Sequence, residues 1–123
     1  MLFFDLFRHS PTFVETKSGE VFLEEGDVGN EMYILIEGNA AIELRGHRFA
    51  EIGPGEFVGE LAVIDGSPRL AKVTALTDCK FVAIDSKRFR FLIAETPNFA
   101  LEVMRVMAQR LRKANELLIQ PRQ

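Results

Sequence analysis

Tryptophan is absent from this chain, and tyrosine, cysteine and histidine are scarce: one Tyr, one Cys and two His among 123 residues. A single cysteine, Cys79, excludes an intramolecular disulfide, which suits a reducing cytoplasm. His9 and His47 lie far apart and have no second cysteine to join, so no metal site is expected. No apolar run approaches the roughly 20 residues that a membrane span needs. Positive charge is not in excess: the net charge is -3, which argues against general nucleic-acid binding, whose electrostatic driving force needs a basic surface. No nucleophile with its base, metal cluster or triphosphate loop can be read, so no catalytic residue is expected and the chain is not read as an enzyme. Met1 to Phe7 is apolar, but Asp5 interrupts it and no basic stretch precedes it; it is expected to belong to the fold and not to a signal peptide.

What is present suffices for one domain. Hydrophobic residues make up 47 % of the chain, enough for a core. Two textures divide it. From Val14 to Asp85, short apolar runs alternate with glycine-bearing turns. Strands are expected at Val21–Leu23, Met32–Ile36, Ala40–Leu44, Arg48–Ile52, Lys72–Ala75 and Lys80–Ile84. Such spacing predicts a small antiparallel barrel or jelly roll. From Ser86 onward the pattern is helical. Asp85 or Ser86 caps one helix, and Thr96-Pro97 opens a second that runs to about Leu118. In it Met104, Met107, Leu111, Ala114 and Leu118 form a two-heptad seam, suited either to a second copy of the chain or to packing on its own β-roll. Arg105, Arg110, Arg112 and Lys113 read as a solvated face. The expected layout is a lead-in over 1–13, a β-roll over 14–85 and C-terminal helices over 86–120.

The chemistry concentrates in 53–73. Glu60 and Arg69 stand there among small and apolar neighbours: Gly59, Leu61 and Ala62 on one side, Pro68, Leu70 and Ala71 on the other. Charges in such surroundings have partners. Either they pair with each other, or they share an anionic ligand that carries hydroxyls. A ribose phosphate fits the second reading. Arginine presents a planar fork of donors to phosphate oxygens, and glutamate accepts from a sugar hydroxyl. Gly-Glu-Leu-Ala can open a short helix whose free N–H groups face an anion, with Gly59 permitting close approach to the backbone.

The stretch GPGEFVGELAVIDGSPRLA resembles the phosphate-binding cassette of cyclic-nucleotide-binding domains, the family of catabolite activator proteins, protein kinase A regulatory subunits and cyclic-nucleotide-gated channels. Upstream, SGEVFLEEGDVGNEMYILIEG is similar to the family's glycine-punctuated early strands, and TALTDCKFVAID with the two helices follows its pattern downstream. The resemblance implies an antiparallel jelly-roll β-barrel (a double-stranded β-helix) with C-terminal α-helices, as a stand-alone bacterial-type domain. It implies that Glu60 binds the ribose 2′-hydroxyl and Arg69 the exocyclic phosphate oxygens. Backbone N–H groups of Leu61, Ala62 and Ala71 would assist, and that of Leu70 survives. Counted without gaps from Arg69, Ala114 and Asn115 fall where activator proteins contact adenine. Leu70 stands where many members carry Ala, Ser or Thr; a threonine there can favour guanine. Cyclic AMP is therefore the expected ligand, and cyclic GMP is disfavoured.

The implied function is a cytoplasmic sensor that signals through closure of its C-terminal helices onto an effector protein or a second copy. No membrane or nucleic-acid partner is expected. Two alternatives stay open: an interaction domain of the same fold with a degenerate pocket, suggested by Leu70, and the sensor half of an activator-type transcription regulator without its DNA-binding part.

Overall fold

The computed structural model describes residues 2–119, with side chains over 5–116. By internal contacts the chain divides into two units, Met1–Arg90 and Phe91–Gln123.

In the first unit, helix α1 (Leu2–Phe7) precedes strands β1 (Val14–Thr16), β2 (Val21–Leu23), β3 (Glu31–Glu37), β4 (Ala40–Leu44), β5 (His47–Ile52) and β6 (Phe57–Val58). Helix α2 (Glu60–Ile64), strands β7 (Lys72–Ala75) and β8 (Cys79–Asp85), and the start of α3 (Ser86–Glu95) complete it. The strands form two antiparallel sheets ordered β1-β8-β3-β6 and β2-β7-β4-β5. The roll is thus a two-sheet sandwich, and among the described residues no closed barrel forms, which corrects the barrel part of the expectation.

Alternation explains the core. Ile34 and Phe81 are fully buried in one sheet, and Ile52 and Val73 in the other. Phe22 of β2 stacks on Phe81 of β8 with centroids 4.1 Å apart, which joins the two sheets face to face. β3 and β8 are buried on both faces, since Leu35 and Val82 are enclosed as fully as Ile34 and Phe81. Both α1 and α2 lie against β3. The β4–β5 hairpin turns on Arg45 and Gly46, with φ of 50° and 81°. That pair of left-handed residues matches the twist of a two-residue hairpin. The six expected strands are all present, within a residue at each end. β1 and β6, of three and two residues, are additional.

Asp85 caps α3: its Oδ1 accepts the Arg88 N–H at 2.8 Å. In the second unit, α4 runs Pro97–Ile119, started by the Phe99 N–H donating to the Thr96 carbonyl at 2.8 Å. Along α4, Phe99 and Val103 are buried, while Leu101, Met104 and Leu111 are 41, 58 and 64 % exposed. Met107 and Ala114 of the expected seam are half-buried, and the Leu118 side chain lies outside the described residues.

Candidate ligand-binding cassette

β6 pairs with β3, Val58 opposite Tyr33, and then the chain turns sharply at Gly59, with φ 78° and ψ 17°, into α2. This left-handed conformation suits glycine. Glu60 is the first residue of α2 and is half-buried. Leu61 and Ala62 are half-buried behind it. The Ala62 N–H donates to the Gly59 carbonyl at 3.2 Å, so of the N–H groups expected to face a ligand this one has an intrachain partner. The helix ends at Asp65, whose carboxylate accepts from the Ser67 hydroxyl and N–H. Those hydrogen bonds, the hydroxyl's first, hold its pKa below the ordinary carboxylate value.

Arg69 then enters the protein. It is 8 % exposed, a burial rare for arginine. Two backbone bonds fasten it to the β2–β3 loop: Gly26 N–H to the Arg69 carbonyl and Arg69 N–H to the Asp27 carbonyl, both at 2.7 Å. Its Nη1 donates to the Glu31 carbonyl at 2.7 Å and more weakly to the Gly59 carbonyl at 3.3 Å. Among the described residues both of its side-chain-to-backbone bonds run through Nη1. The other edge, Nε and Nη2, is the one that grips two oxygens side by side.

Two glycines make room for the guanidinium. A Cβ on Gly59 would stand 2.6 Å from Nη1, and one on Gly29 would overlap Nη2 and come within 2.8 Å of Nε. The sequence reading gave Gly59 to ligand approach and Gly29 to a turn. In the structure both glycines are cradle residues for Arg69. At Gly29 space, and not backbone angle, demands glycine.

Gly59, Glu60, Leu61, Ala62, Arg69, Leu70 and Ala71 therefore come together on one loop–helix–loop segment beside β3. Arg69 points in; Leu70, its neighbour, is 67 % exposed. Ala114 and Asn115 lie on α4 in the second unit, half-buried and exposed respectively. The sequence assigned no role in the site to Glu31 or Tyr33. The Tyr33 hydroxyl donates to Glu31 Oε1 at 3.0 Å, and Arg69 Cζ lies 5.6 Å from the ring centroid. Burial first, then the Glu31 carboxylate, pushes the Tyr33 pKa up, with the Arg69 charge opposing. The signal was available in the spacing Gly29, Glu31, Tyr33, which places Glu31 and Tyr33 on one face of a strand entered from a glycine loop.

Elsewhere, Cys79 is buried, its Sγ 3.3 Å from the Asn39 carbonyl and 3.2 Å from that of Thr77, and burial raises its thiol pKa. Among the described residues no three His, Cys, Asp or Glu side chains are grouped to hold a metal ion, and no helix is long and apolar enough to cross a membrane.

Comparison with known proteins meets this geometry from outside. The family model of the cyclic nucleotide-binding domain matches residues 13–96, which spans the β-roll, the cassette and α3. A CRP-like cAMP-activated global transcriptional regulator of Mycobacterium tuberculosis is 33 % identical over 110 residues, covering 85 % of this chain and 49 % of the relative. The chain thus spans about half the length of that relative. The catabolite activator protein of Thermus thermophilus superposes with a TM-score of 0.74 at 28 % identity, over 86 % of this chain and 53 % of that one. A structure of PKAR CBD2 bound to Sp-2Cl-cAMPS gives a TM-score of 0.75 at 27 % identity, over 89 % of this chain and 73 % of that one. A buried arginine cradled by two glycines, a two-sheet roll and a match over most of the chain lead to one assignment: this chain belongs to the cyclic-nucleotide-binding domain family.

Proposed function

We propose that the chain is a regulatory sensor module, not a catalyst, that takes cyclic AMP in preference to cyclic GMP in the cassette Gly59–Ala71. The observation that carries this reading is Arg69. A guanidinium buried to 8 % exposure, with Nη1 on backbone carbonyls and its other edge over Gly29, suits an anion better than water. Glu60 at the start of α2 accepts the ribose hydroxyl, and the N–H groups of Leu61, Leu70 and Ala71 add donors. Leu70 offers no hydroxyl, which favours adenine over guanine. Ala114 and Asn115 contact the base.

Ligand binding biases an existing equilibrium of the C-terminal helices. The receiver is a second copy or another protein of the cytoplasm. The 33 % identical regulator supports the sensor half of a transcription factor as a second reading.

Calorimetry with cyclic AMP and cyclic GMP tests the proposal. Cyclic AMP should bind, and Arg69→Ala should weaken it by about 2–5 kcal/mol, the range for removing one partner of a buried charge pair. Absence of heat and of thermal shift at millimolar cyclic AMP overturns the ligand. Unchanged affinity in Arg69→Ala overturns its role.

A further inference from the structure

The guanidinium of Arg69 is held on a second side, by β3. Residues two apart on a strand share a face, so Glu31 and Tyr33 point the same way. The backbone carbonyl of Glu31 accepts Nη1 at 2.7 Å, and the Tyr33 ring faces Cζ at 5.6 Å, within cation–π range. The ring is itself held by neighbours. Its hydroxyl is tied to Glu31 Oε1 at 3.0 Å, and the ring stands perpendicular to Phe22, centroids 4.7 Å apart, and to Phe81, centroids 6.4 Å apart, both at 78°. Phe22 in turn stacks on the fully buried Phe81 at an interplanar angle of 5°. A continuous ladder of aromatic contacts thus runs from the core to the cation.

We infer that Tyr33 is a positioning residue for ligand binding: its ring, anchored by Phe22 and Glu31, fixes the plane of the Arg69 guanidinium so that the Nε–Nη2 edge is set before the ligand arrives. A flexible arginine must lose rotamer freedom on binding; one already held does not. Glycines 29 and 59 leave room for the guanidinium, and Tyr33 supplies the surface that keeps it in place. This rests on the phosphate role proposed for Arg69.

The chain has one Tyr and no Trp, so ultraviolet absorbance of tyrosinate reports Tyr33 alone. Alkaline titration of the ligand-free protein should give a midpoint above the ordinary value of 10.0, and Arg69→Gln should raise it further, because the opposing cation is removed. A midpoint indifferent to Arg69→Gln shows that ring and cation are uncoupled and overturns the inference, whatever the ligand. The second measurement is cyclic AMP affinity. Tyr33→Leu should weaken it about 3- to 30-fold, the span of a cation–π contact, and Tyr33→Phe, which keeps the ring and its Phe22 contact but loses the tie to Glu31, should fall between Tyr33→Leu and the parent. In the Arg69→Gln background Tyr33→Leu should change affinity little, since the two act as one unit. Equal losses from Tyr33→Leu with and without Arg69 also overturn the inference. If the parent protein binds no cyclic nucleotide, the ligand reading fails, and the titration alone decides whether Tyr33 holds Arg69.

Discussion

The cassette and helix α4 both invert the ordinary sorting of side chains, in opposite senses. In the cassette a cation, Arg69, is buried while its apolar neighbour Leu70 is 67 % exposed. On α4 it is apolar side chains, Leu101, Met104 and Leu111, that face outward. Both inversions call for a partner, because buried charge needs a counter-charge and a contiguous exposed apolar stripe needs cover. The chemistry of each partner follows from the side chain: an anion for Arg69, an apolar surface for α4. Read together, the cassette is the input and α4 the output of the proposed sensor.

Gly29 and Gly59 are the place to break the first half of the comparison. Gly29→Ala puts a methyl group where the guanidinium lies without asking for an unfavourable φ, so the fold should persist while Arg69 is displaced. The expected loss in cyclic AMP affinity approaches that of Arg69→Ala, on the order of 100-fold or more. Gly59→Ala crowds Nη1 and also strains a backbone at φ 78°, adding about 1–2 kcal/mol of instability. Calorimetry with thermal melts separates the two: Gly29→Ala should lose binding and keep its Tm, whereas Gly59→Ala should lose both. Intact binding in Gly29→Ala removes the cradle from the mechanism.

α4 breaks the second half. Its outward apolar residues are Leu101, Met104 and Leu111, whereas Met107 and Ala108 between them are both half-buried. The three fall at a and d positions of one heptad frame, the spacing of a pairing helix. That frame differs by a shift of face from the seam through Met107 and Ala114. If this stripe pairs two copies, Leu111→Glu should weaken the dimer about 100-fold by burying a charge, with little effect on cyclic AMP affinity per chain. Light scattering across a dilution series measures it. A parent protein that stays monomeric at high concentration sends the stripe to another partner.

How much of this was legible beforehand differs in the same way between the two regions. The long strands were readable because short runs of apolar β-formers bounded by turn residues, as at β3, β4 and β8, are a local signal. β1 and β6 were not, since three and two residues are too few to show a period. Glu60 and Arg69 stood out as charges amid small neighbours, and the cassette pattern placed them. The reason for Gly29 and Tyr33 lay some 40 residues away in the chain, at Arg69, and no local pattern encodes a contact made by folding. On α4 two alternations of the same apolar residues fit a heptad equally well. Solvent exposure does not separate them either, since Met107 and Ala108 are both half-buried while the exposed Met104 and Leu111 belong to both.

A smaller change sharpens what the input recognises. Leu70→Thr places a hydroxyl beside the Arg69 cradle at an exposed position, where the added methyl and hydroxyl meet no packing limit. One new hydrogen bond contributes about 0.5–1.5 kcal/mol, so cyclic GMP affinity should rise about 2- to 12-fold relative to cyclic AMP. A competition titration with both nucleotides reads the ratio. An unchanged ratio would assign base choice to residues outside the cassette.

The least effect expected is on stability at alkaline pH, and among the described residues the groups with raised values, Tyr33 and Cys79, lie in the first unit. Burial raises the pKa of Cys79 above 9.0 and, with Glu31, that of Tyr33 above 10.0. A raised folded-state pKa means that the unfolded chain loses its proton first. The stabilisation is therefore complete below the unfolded-state values and is lost as pH rises through the folded-state ones. Unfolding midpoints in urea should be flat near neutrality and fall from about pH 9 upward. Tyr33→Phe should remove the upper part of that fall and Cys79→Ala the lower part, while substitutions on the outward face of α4 leave the slope unchanged. A slope that survives both first-unit variants would move the alkaline sensitivity out of the β-roll, and with it the claim that Tyr33 is held as a neutral donor against Glu31 beneath the Arg69 cation.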